Sequence, residues 1–427
     1  MKEKGFASIL FIMITAALAI TGCVKNAGVT PSDKEEPVRI ENSGIPAAIK
    51  EERTSEETAE LYRDIYESAA SNPSVTSAGS AASYYDRLPV IRQIVERLGS
   101  YGYAAIDSEN KNQLNMVNPG LIEDFCRKVE EQKEACATLF SVMENLGFIR
   151  FDFVTSEEME GKVHVTRSVL CWIGGMPRVT DKYSYNAAVW EYTKEGYLFF
   201  EENTPVAYDG PPGYTAVRVK PLEEECRELN RRYILPIGYG ANNMFLTDWK
   251  EENFGELDFY DLFQLLYPLV YYRNSPYGLT VDGAKYRVPE EEFNRVIMTY
   301  FNIDEETLHS STKYLAEGKC YEYLTRSFLD YGNSPNTPWP EVTSRKENAD
   351  GTITLTVSAV WPQRHLGRAM SSEVVIRPLE DGGFQYVSNR IIDSPENVEP
   401  DWYEIPSRDK MSSVISAALL PAAPSLP

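Results

Sequence analysis

Histidine is scarce in this chain: only His164, His309 and His365 occur in 427 residues. They lie far apart in sequence, and no HExxH is present, which argues against a histidine-based metal site. Six cysteines occur, with no CxxC spacing of a metal or redox centre. Lys and Arg are outnumbered by Asp and Glu, 42 to 64, for a formal charge of -22. Phosphate contacts need clustered cations, so nucleic acid is an unsuitable partner. Electrostatic adhesion to anionic lipid heads is excluded for the same reason. No apolar run reaches the 18 to 20 or so residues of a membrane span. There is no GxSxG nucleophile elbow, and no Walker-type or dinucleotide-binding glycine loop.

The chain does carry a short basic start, Lys2 and Lys4, and then an apolar stretch from Phe6 to Ile20. Ile20-Thr21-Gly22-Cys23 follows. A basic start, an apolar core and a small-residue cleavage site make a secretory signal peptide. With Cys23 directly after the small residue, the run resembles the lipobox of bacterial lipoproteins. That resemblance implies diacylglyceryl transfer to the Cys23 thiol and cleavage just before it. Two acyl chains on one residue give stable anchoring, where one would be marginal. Cys23 is therefore the expected lipidation site, and the expected location is the extracytoplasmic face of the cell membrane. The five remaining cysteines, Cys126, Cys136, Cys171, Cys226 and Cys320, are an odd number. The expectation is buried free thiols acting as small hydrophobes, with a Cys126–Cys136 bridge as the alternative.

Composition divides the rest. Residues 1–22 read as the signal peptide. Residues 23–83 read as a tether with one short helix opening at Thr54-Ser55-Glu56-Glu57, too polar at its start to order itself. Residues 84–228 read as a first α+β module. Leu88, Ile91, Ile94, Val95 and Leu98 form a helical stripe stopped by Gly99. Pro119 opens a second helix with Leu121, Ile122, Phe125, Cys126 and Val129 on one side. Strands are expected at Ala137–Met143, Phe148–Thr155, Val163–Trp172, Tyr185–Tyr192, Tyr197–Glu201 and Thr215–Val219. Residues 229–280 read as an aromatic-rich connecting segment, with a helix from Phe259 to Tyr272 that Pro268 kinks or ends. Residues 281–403 read as a second α+β module: a helix from Pro289, then strands at Thr352–Trp361, Ser372–Arg377 and Phe384–Ile391. Residues 404–427 read as a disordered tail.

The two modules share a plan. Val154-Thr155-Ser156 precedes a turn and a strand ending at Cys171-Trp172. Val342-Thr343-Ser344 precedes a turn and a strand ending at Val360-Trp361. Hairpins at Lys194-Glu195-Gly196-Tyr197 and Asp381-Gly382-Gly383-Phe384 complete each copy. The expectation is an α+β tandem repeat, two curved antiparallel sheets each wrapped on a helix. The nuclear-transport-factor-like and cystatin-like cones are its nearest analogy. Trp172, Trp190 and Trp361 could line a concave face or serve as core, and aromatic burial favours core.

Gly102-Tyr103-Ala104-Ala105-Ile106-Asp107-Ser108-Glu109-Asn110 is one of two distinctive stretches. The other is Leu229-Asn230-Arg231-Arg232-Tyr233-Ile234-Leu235-Pro236-Ile237-Gly238-Tyr239, continuing through Asn242-Asn243-Met244-Phe245-Leu246-Thr247-Asp248-Trp249. Together they resemble a family of uncharacterised Gram-positive lipoproteins, a domain of unknown function, from about Tyr84 to Ile392. The resemblance brings no activity, ligand or catalytic residues.

Candidate chemistry is sparse. Ser310-Ser311-Thr312-Lys313 fits an SxxK pattern, and Ser334-Pro335-Asn336 imitates its SxN partner, but no KTG-type strand follows. Asp248, Glu251, Glu252, Glu256, Asp258 and Asp261 cluster beside Trp249, Phe254, Phe259 and Tyr260. Carboxylates among aromatics could form a glycan-cleaving cleft or bind calcium. The plainer reading is acids at a helix start, favoured by the dipole. Asp107 to Asn112 imitates a calcium loop, but the central glycine is missing and Lys111 opposes a cation. No catalytic, cofactor or metal residues are assigned. The expected function is a non-enzymatic, lipid-anchored binding module with an extracytoplasmic protein or cell-wall partner, against a cell-wall glycan hydrolase using the carboxylates near Trp249. An accessory to the folding or assembly of exported proteins is a third class.

Overall fold

The computed structural model describes residue 63 and residues 84–403, apart from residues 109, 111, 174, 175, 204–212, 282 and 328–336. Cys23, the signal peptide, the tether and its helix apart from residue 63, the Ser334-Pro335-Asn336 element and the tail lie outside the described residues. The chain divides into two compact units. One holds residues 84–105 and 120–187, the other residues 106–119 and 188–403. No helix among the described residues is long and apolar enough to cross a membrane.

The first unit is two helices on an antiparallel sheet. α1 spans Tyr84–Ser100. Leu88, Ile91, Ile94, Val95 and Leu98 are all buried, as their spacing predicts. Gly99 does not stop it. The chain turns at Gly102, φ +87°, a left-handed position that glycine occupies at no steric cost. There the Gly102 N–H donates to Gly99 O and the Tyr103 N–H to Leu98 O. β1, Ala104–Asp107, carries the chain onward. α2, Gly120–Glu130, buries Ile122, Phe125, Cys126 and Val129. Leu121, expected on the same face, is exposed, because it sits one step off the 3.6-residue stripe.

Four strands follow: β2 Ala135–Val142, β3 Phe148–Thr155, β4 His164–Ile173 and β5 Met176–Asn186. The sheet order is β1-β2-β3-β4-β5, with each of the last four antiparallel to its neighbour. β3 shows why it forms. Ile149, Phe151 and Phe153 are buried, while Arg150 and Asp152 are partly exposed and pair at 2.8 Å. That alternation fits a half-buried strand. A β-bulge falls between Val169 and Leu170, which pair with Asp181 and Val179 and leave Thr180 as the extra residue.

The second unit holds three sheets. β6 Val189–Tyr192, β7 Tyr197–Glu201 and β8 Tyr214–Arg218 form the first, in that order. α3, Glu224–Leu229, runs into a π-turn over Asn230–Ile234. β9 is Trp249–Lys250, and α4 is Phe259–Tyr271. Pro268 does not kink α4 apart. The helix ends one turn beyond, where Tyr272, φ +53°, donates its N–H to Pro268 O. β10 Lys285–Pro289, α5 Glu290–Tyr300, α6 Glu305–Ser310, β11 Tyr314–Leu315 and β12 Cys320–Leu324 follow. The second sheet has the order β10-β12-β11. β13 Trp339–Glu347, β14 Ile353–Val360, β15 Ser371–Pro378 and β16 Phe384–Ile391 make an antiparallel meander, edged by β9.

Residues 229–280 are not a linker. Tyr233, Ile237, Phe245, Trp249, Phe259, Phe263 and Tyr267 are buried in one core with Phe293, Tyr323, Val357, Trp361 and Tyr386. So much apolar surface is more stable inside a unit than bridging two. Trp361 is core, 2% exposed; Trp190 is partly buried, its ring 5.8 Å from that of Phe200.

The chain is a mixed α+β protein. The two similar runs follow a common order through β3-β4-β5 and β13-β14-β15, and then part. The Glu195-Gly196 turn joins β6 to β7 in a separate three-stranded sheet, whereas Gly382-Gly383 joins β15 to β16 within the five-stranded one. Their likeness is turn chemistry: Gly196 and Gly382 have φ of +91° and +87°.

Candidate functional site

The densest set of buried charges lies in the second unit. Glu341 comes from β13, Arg218 from the end of β8, Arg227 from α3 and Tyr197 from β7. They are 3%, 4%, 2% and 0% exposed. The Glu341 carboxylate accepts from the Tyr197 hydroxyl at 2.9 Å. One oxygen lies 3.4 Å from Arg227 Nη1, the other 3.4 Å from Arg218 Nη1. The Arg218 guanidinium also lies over the Tyr197 ring, 5.1 Å from its centroid. Burial raises the Tyr197 phenol well above its ordinary range, and the adjacent Glu341 charge adds to this. Tyr197 therefore stays a neutral donor.

Local sequence explains how these groups meet. The loop from Asp107 to Pro119 is fastened by its own polar residues. The Asp107 carboxylate accepts the N–H groups of Gln113 at 2.6 Å and Leu114 at 3.0 Å. Asn110 and Asn112 act like a strand along β8, accepting the N–H groups of Ala216 at 2.8 Å and Arg218 at 2.6 Å. Asn115 accepts from the Leu222 N–H at 3.0 Å and from Arg227 Nε at 3.2 Å. Arg227 Nη1 then donates to Asn112 O at 2.9 Å. One carboxylate thus gathers a loop, two sheets and a helix.

Two guanidiniums around one carboxylate is an anion-binding arrangement, already filled by Glu341. All four side chains are sealed from solvent, so the cluster acts as an internal fastener. Sequence reasoning missed it. Its signal is one charge inside an apolar run: Arg218 in Ala-Val-Arg-Val, and Glu341 in Trp-Pro-Glu-Val.

The carboxylates near Trp249 are placed one by one. The Asp248 side chain accepts the Ile391 N–H at 2.6 Å. Glu251 holds Arg377 through both oxygens, at 2.6 and 2.9 Å. Asp258 caps α4, accepting the N–H groups of Tyr260 and Asp261. Asp261 makes a buried two-point pair with Arg326, at 3.0 and 2.8 Å. Glu252 and Glu256 are exposed. Trp249, Phe254 and Phe259 are buried against one another, and the Trp249 Nε1–H donates to Met244 O at 2.8 Å. These aromatics face a core.

The other candidates are equally occupied. Ser310 ends α6, its hydroxyl donating to Thr307 O, while Lys313 pairs with Glu322. His164 bonds Asn186 at 2.9 Å, His309 bonds Glu290 at 2.9 Å and stacks on Tyr314, and His365 lies 3.0 Å from Glu201. All five cysteines after Cys23 are free, and burial raises the Cys126 thiol to about 12. Cys126 lies in α2 and Cys136 in β2, with Cys136 exposed. Among the described residues no cluster of His, Cys, Asp and Glu could hold a metal ion.

Both distinctive stretches owe their wording to backbone support. Asn110 and Asp107 serve the first. In the second, Asn242 Nδ2 donates to the carbonyls of Ile237, Gly238 and Gly240, while its oxygen accepts the Met244 N–H. Asn243 joins Glu256 O to the Asp258 N–H. Irregular buried backbone needs such partners.

Comparison with known families gives one result. The chain belongs to the family of unknown function DUF6070, which matches residues 48–405. No curated protein and no solved structure matches it.

Proposed function

We propose that this member of DUF6070 is a lipid-anchored lipoprotein on the extracytoplasmic face of the cell membrane, working by binding rather than catalysis. One observation carries the reading: Lys2 and Lys4, the apolar run Phe6–Ile20, and Gly22-Cys23 stand in the order that lipoprotein maturation requires. A chain of formal charge -22 is repelled by anionic headgroups, so acyl chains on Cys23 supply the attachment. The carboxylates that a hydrolase reading would need are already held inside the body. Asp248, Glu251, Asp258, Asp261 and Glu341 are each engaged by backbone N–H groups or a guanidinium.

Metabolic labelling with a palmitate analogue tests the anchor. Label on the wild type and none on Cys23→Ala, with the variant moving from the membrane to the soluble fraction, is the expected result. Equal labelling of both would end the proposal. Release of fragments from purified peptidoglycan, lost in Asp248→Asn, would replace binding with glycan hydrolysis.

A further inference from the structure

α4 ends on Tyr271, and the chain leaves it through Tyr272, φ +53° and 61% exposed. That left-handed position just past a helix suits glycine or asparagine, because a Cβ crowds the following carbonyl there. Tyr272 therefore strains the backbone, and its ring buries too little to offset the strain. Strain kept at an exposed aromatic points to a role outside the fold.

Two arginines stand beside it. The guanidiniums of Arg273 and of Arg295, from α5, lie over the Tyr271 ring, 5.7 and 5.3 Å from its centroid. Both side chains are exposed. Arg273 gives one hydrogen bond, from Nη2 to the Tyr267 hydroxyl at 3.2 Å. Among the described residues Arg295 gives none, and neither arginine pairs with a carboxylate. Stacking holds each planar fork in place and leaves N–H groups for another molecule. A helix C-terminus accounts for a cation at Arg273. It does not account for Arg295 in the middle of α5, nor for the choice of tyrosine at 272.

Charge narrows the ligand. Glu291 and Glu292 act on the Tyr271 phenol from α5, as the two arginines do, so the patch is neutral overall. Glu292 is taken by the hydroxyls of Tyr267 and Tyr277, at 2.8 and 2.6 Å. Glu291 is exposed and makes no ion pair among the described residues. A neutral patch on a chain of formal charge -22 does not gather polyanions. An open ring, two planar donors and an open carboxylate suit a sugar instead. The ring stacks under its apolar C–H face, the guanidiniums donate to its hydroxyl oxygens, and Glu291 accepts from a hydroxyl.

We propose that Tyr272, Arg273, Arg295 and Glu291 bind an uncharged glycan strand of the cell wall. The inference rests on the proposed binding role and extracytoplasmic location, which put that polymer within reach, and it names their ligand class. The test is co-sedimentation of the full-length protein, in detergent micelles, with purified peptidoglycan stripped of anionic polymers. A soluble chitin oligosaccharide serves as competitor. Wild type should sediment and be released by the competitor. Tyr272→Gly should be retained several-fold less, while its Tm holds or rises, because glycine relieves the left-handed strain. Arg295→Gln should also be retained less, at unchanged Tm. A Tyr272→Gly variant that sediments like the wild type, or whose Tm falls, would overturn the site; the second outcome makes the ring structural. Wild type that stays in the supernatant, or that the oligosaccharide does not release, would overturn it as well. Palmitate label on Cys23 is read in the same samples. Label without retention counts against the glycan site and leaves the anchor standing.

Discussion

Replacing Glu341 by Gln keeps the side-chain shape and an acceptor for the Tyr197 hydroxyl, and removes only the charge. The two guanidiniums of Arg218 and Arg227 then remain buried without a counter-ion. At an effective dielectric of about 20, each 3.4 Å pair is worth roughly 5 kcal/mol before desolvation. Desolvation was already incurred by all three ions, so the loss falls on the folded state. Breaking a buried pair by removing one partner costs about 3–5 kcal/mol. For a unit of this size, 1 kcal/mol moves Tm by about 2–4 °C, so Tm should fall by roughly 6–20 °C. Differential scanning calorimetry reads this directly. The control is Glu347→Gln on the same strand. That carboxylate is 76% exposed and pairs with Arg345 at 3.4 Å, an arrangement worth about 0–1 kcal/mol. Equal, small shifts for both variants would refute the fastener reading of Glu341.

The two hairpin glycines should respond differently to alanine. A Cβ at Gly196 would meet Lys220 Cβ at 2.2 Å, whereas one at Gly382 would meet nothing within 4 Å. Gly382→Ala carries only the left-handed backbone cost of about 1–2 kcal/mol, and Gly196→Ala should cost clearly more in urea unfolding. Alkali should also unfold the second unit. Burial raises the phenols of Tyr267 and Tyr300 to about 12, and Glu292 adds to the first. Their folded pKa lies above the unfolded value of about 10, so their stabilisation is complete below pH 10 and is lost as pH rises toward 12. Tyrosinate absorbance should therefore appear late and together with loss of circular dichroism; early ionisation in a folded chain would contradict this.

Strands that alternate cleanly were legible from sequence. Phe384–Ile391 was read to the residue, and Phe148–Thr155 likewise, because period-two burial leaves a period-two sequence. β5 was not. Expectation placed a strand at Tyr185–Tyr192, but β5 ends at Asn186 and β6 starts at Val189. With residues 178–184 exposed on both faces, β5 has no apolar alternation to detect; pairing with β4 imposes its conformation. The second sheet was hidden for a related reason. Lys285-Tyr286-Arg287-Val288-Pro289 buries one residue, Val288. Turn chemistry misled in the opposite direction: similar glycine hairpins suggested a repeat, yet Gly196 and Gly382 serve different sheets.

The acids near Trp249 show why the site was harder to read than the fold. Their residue types suit a cleft, and sequence proximity to Trp249, Phe254 and Phe259 suggested one. Yet the rings pack into a core while the acids are taken up by backbone donors and arginines, Asp261 by a buried Arg326. Asp258 and Asp248 lie ten residues apart, and one caps a helix while the other closes on the Ile391 N–H. Buried or half-buried irregular backbone leaves donors that water cannot reach. An acidic chain meets that need with carboxylates, as this one does at Asp107, Asp248 and Asp258, and with asparagine at Asn112, Asn242 and Asn243. Polar residues that look like chemistry in one dimension thus become the fasteners of loops in three.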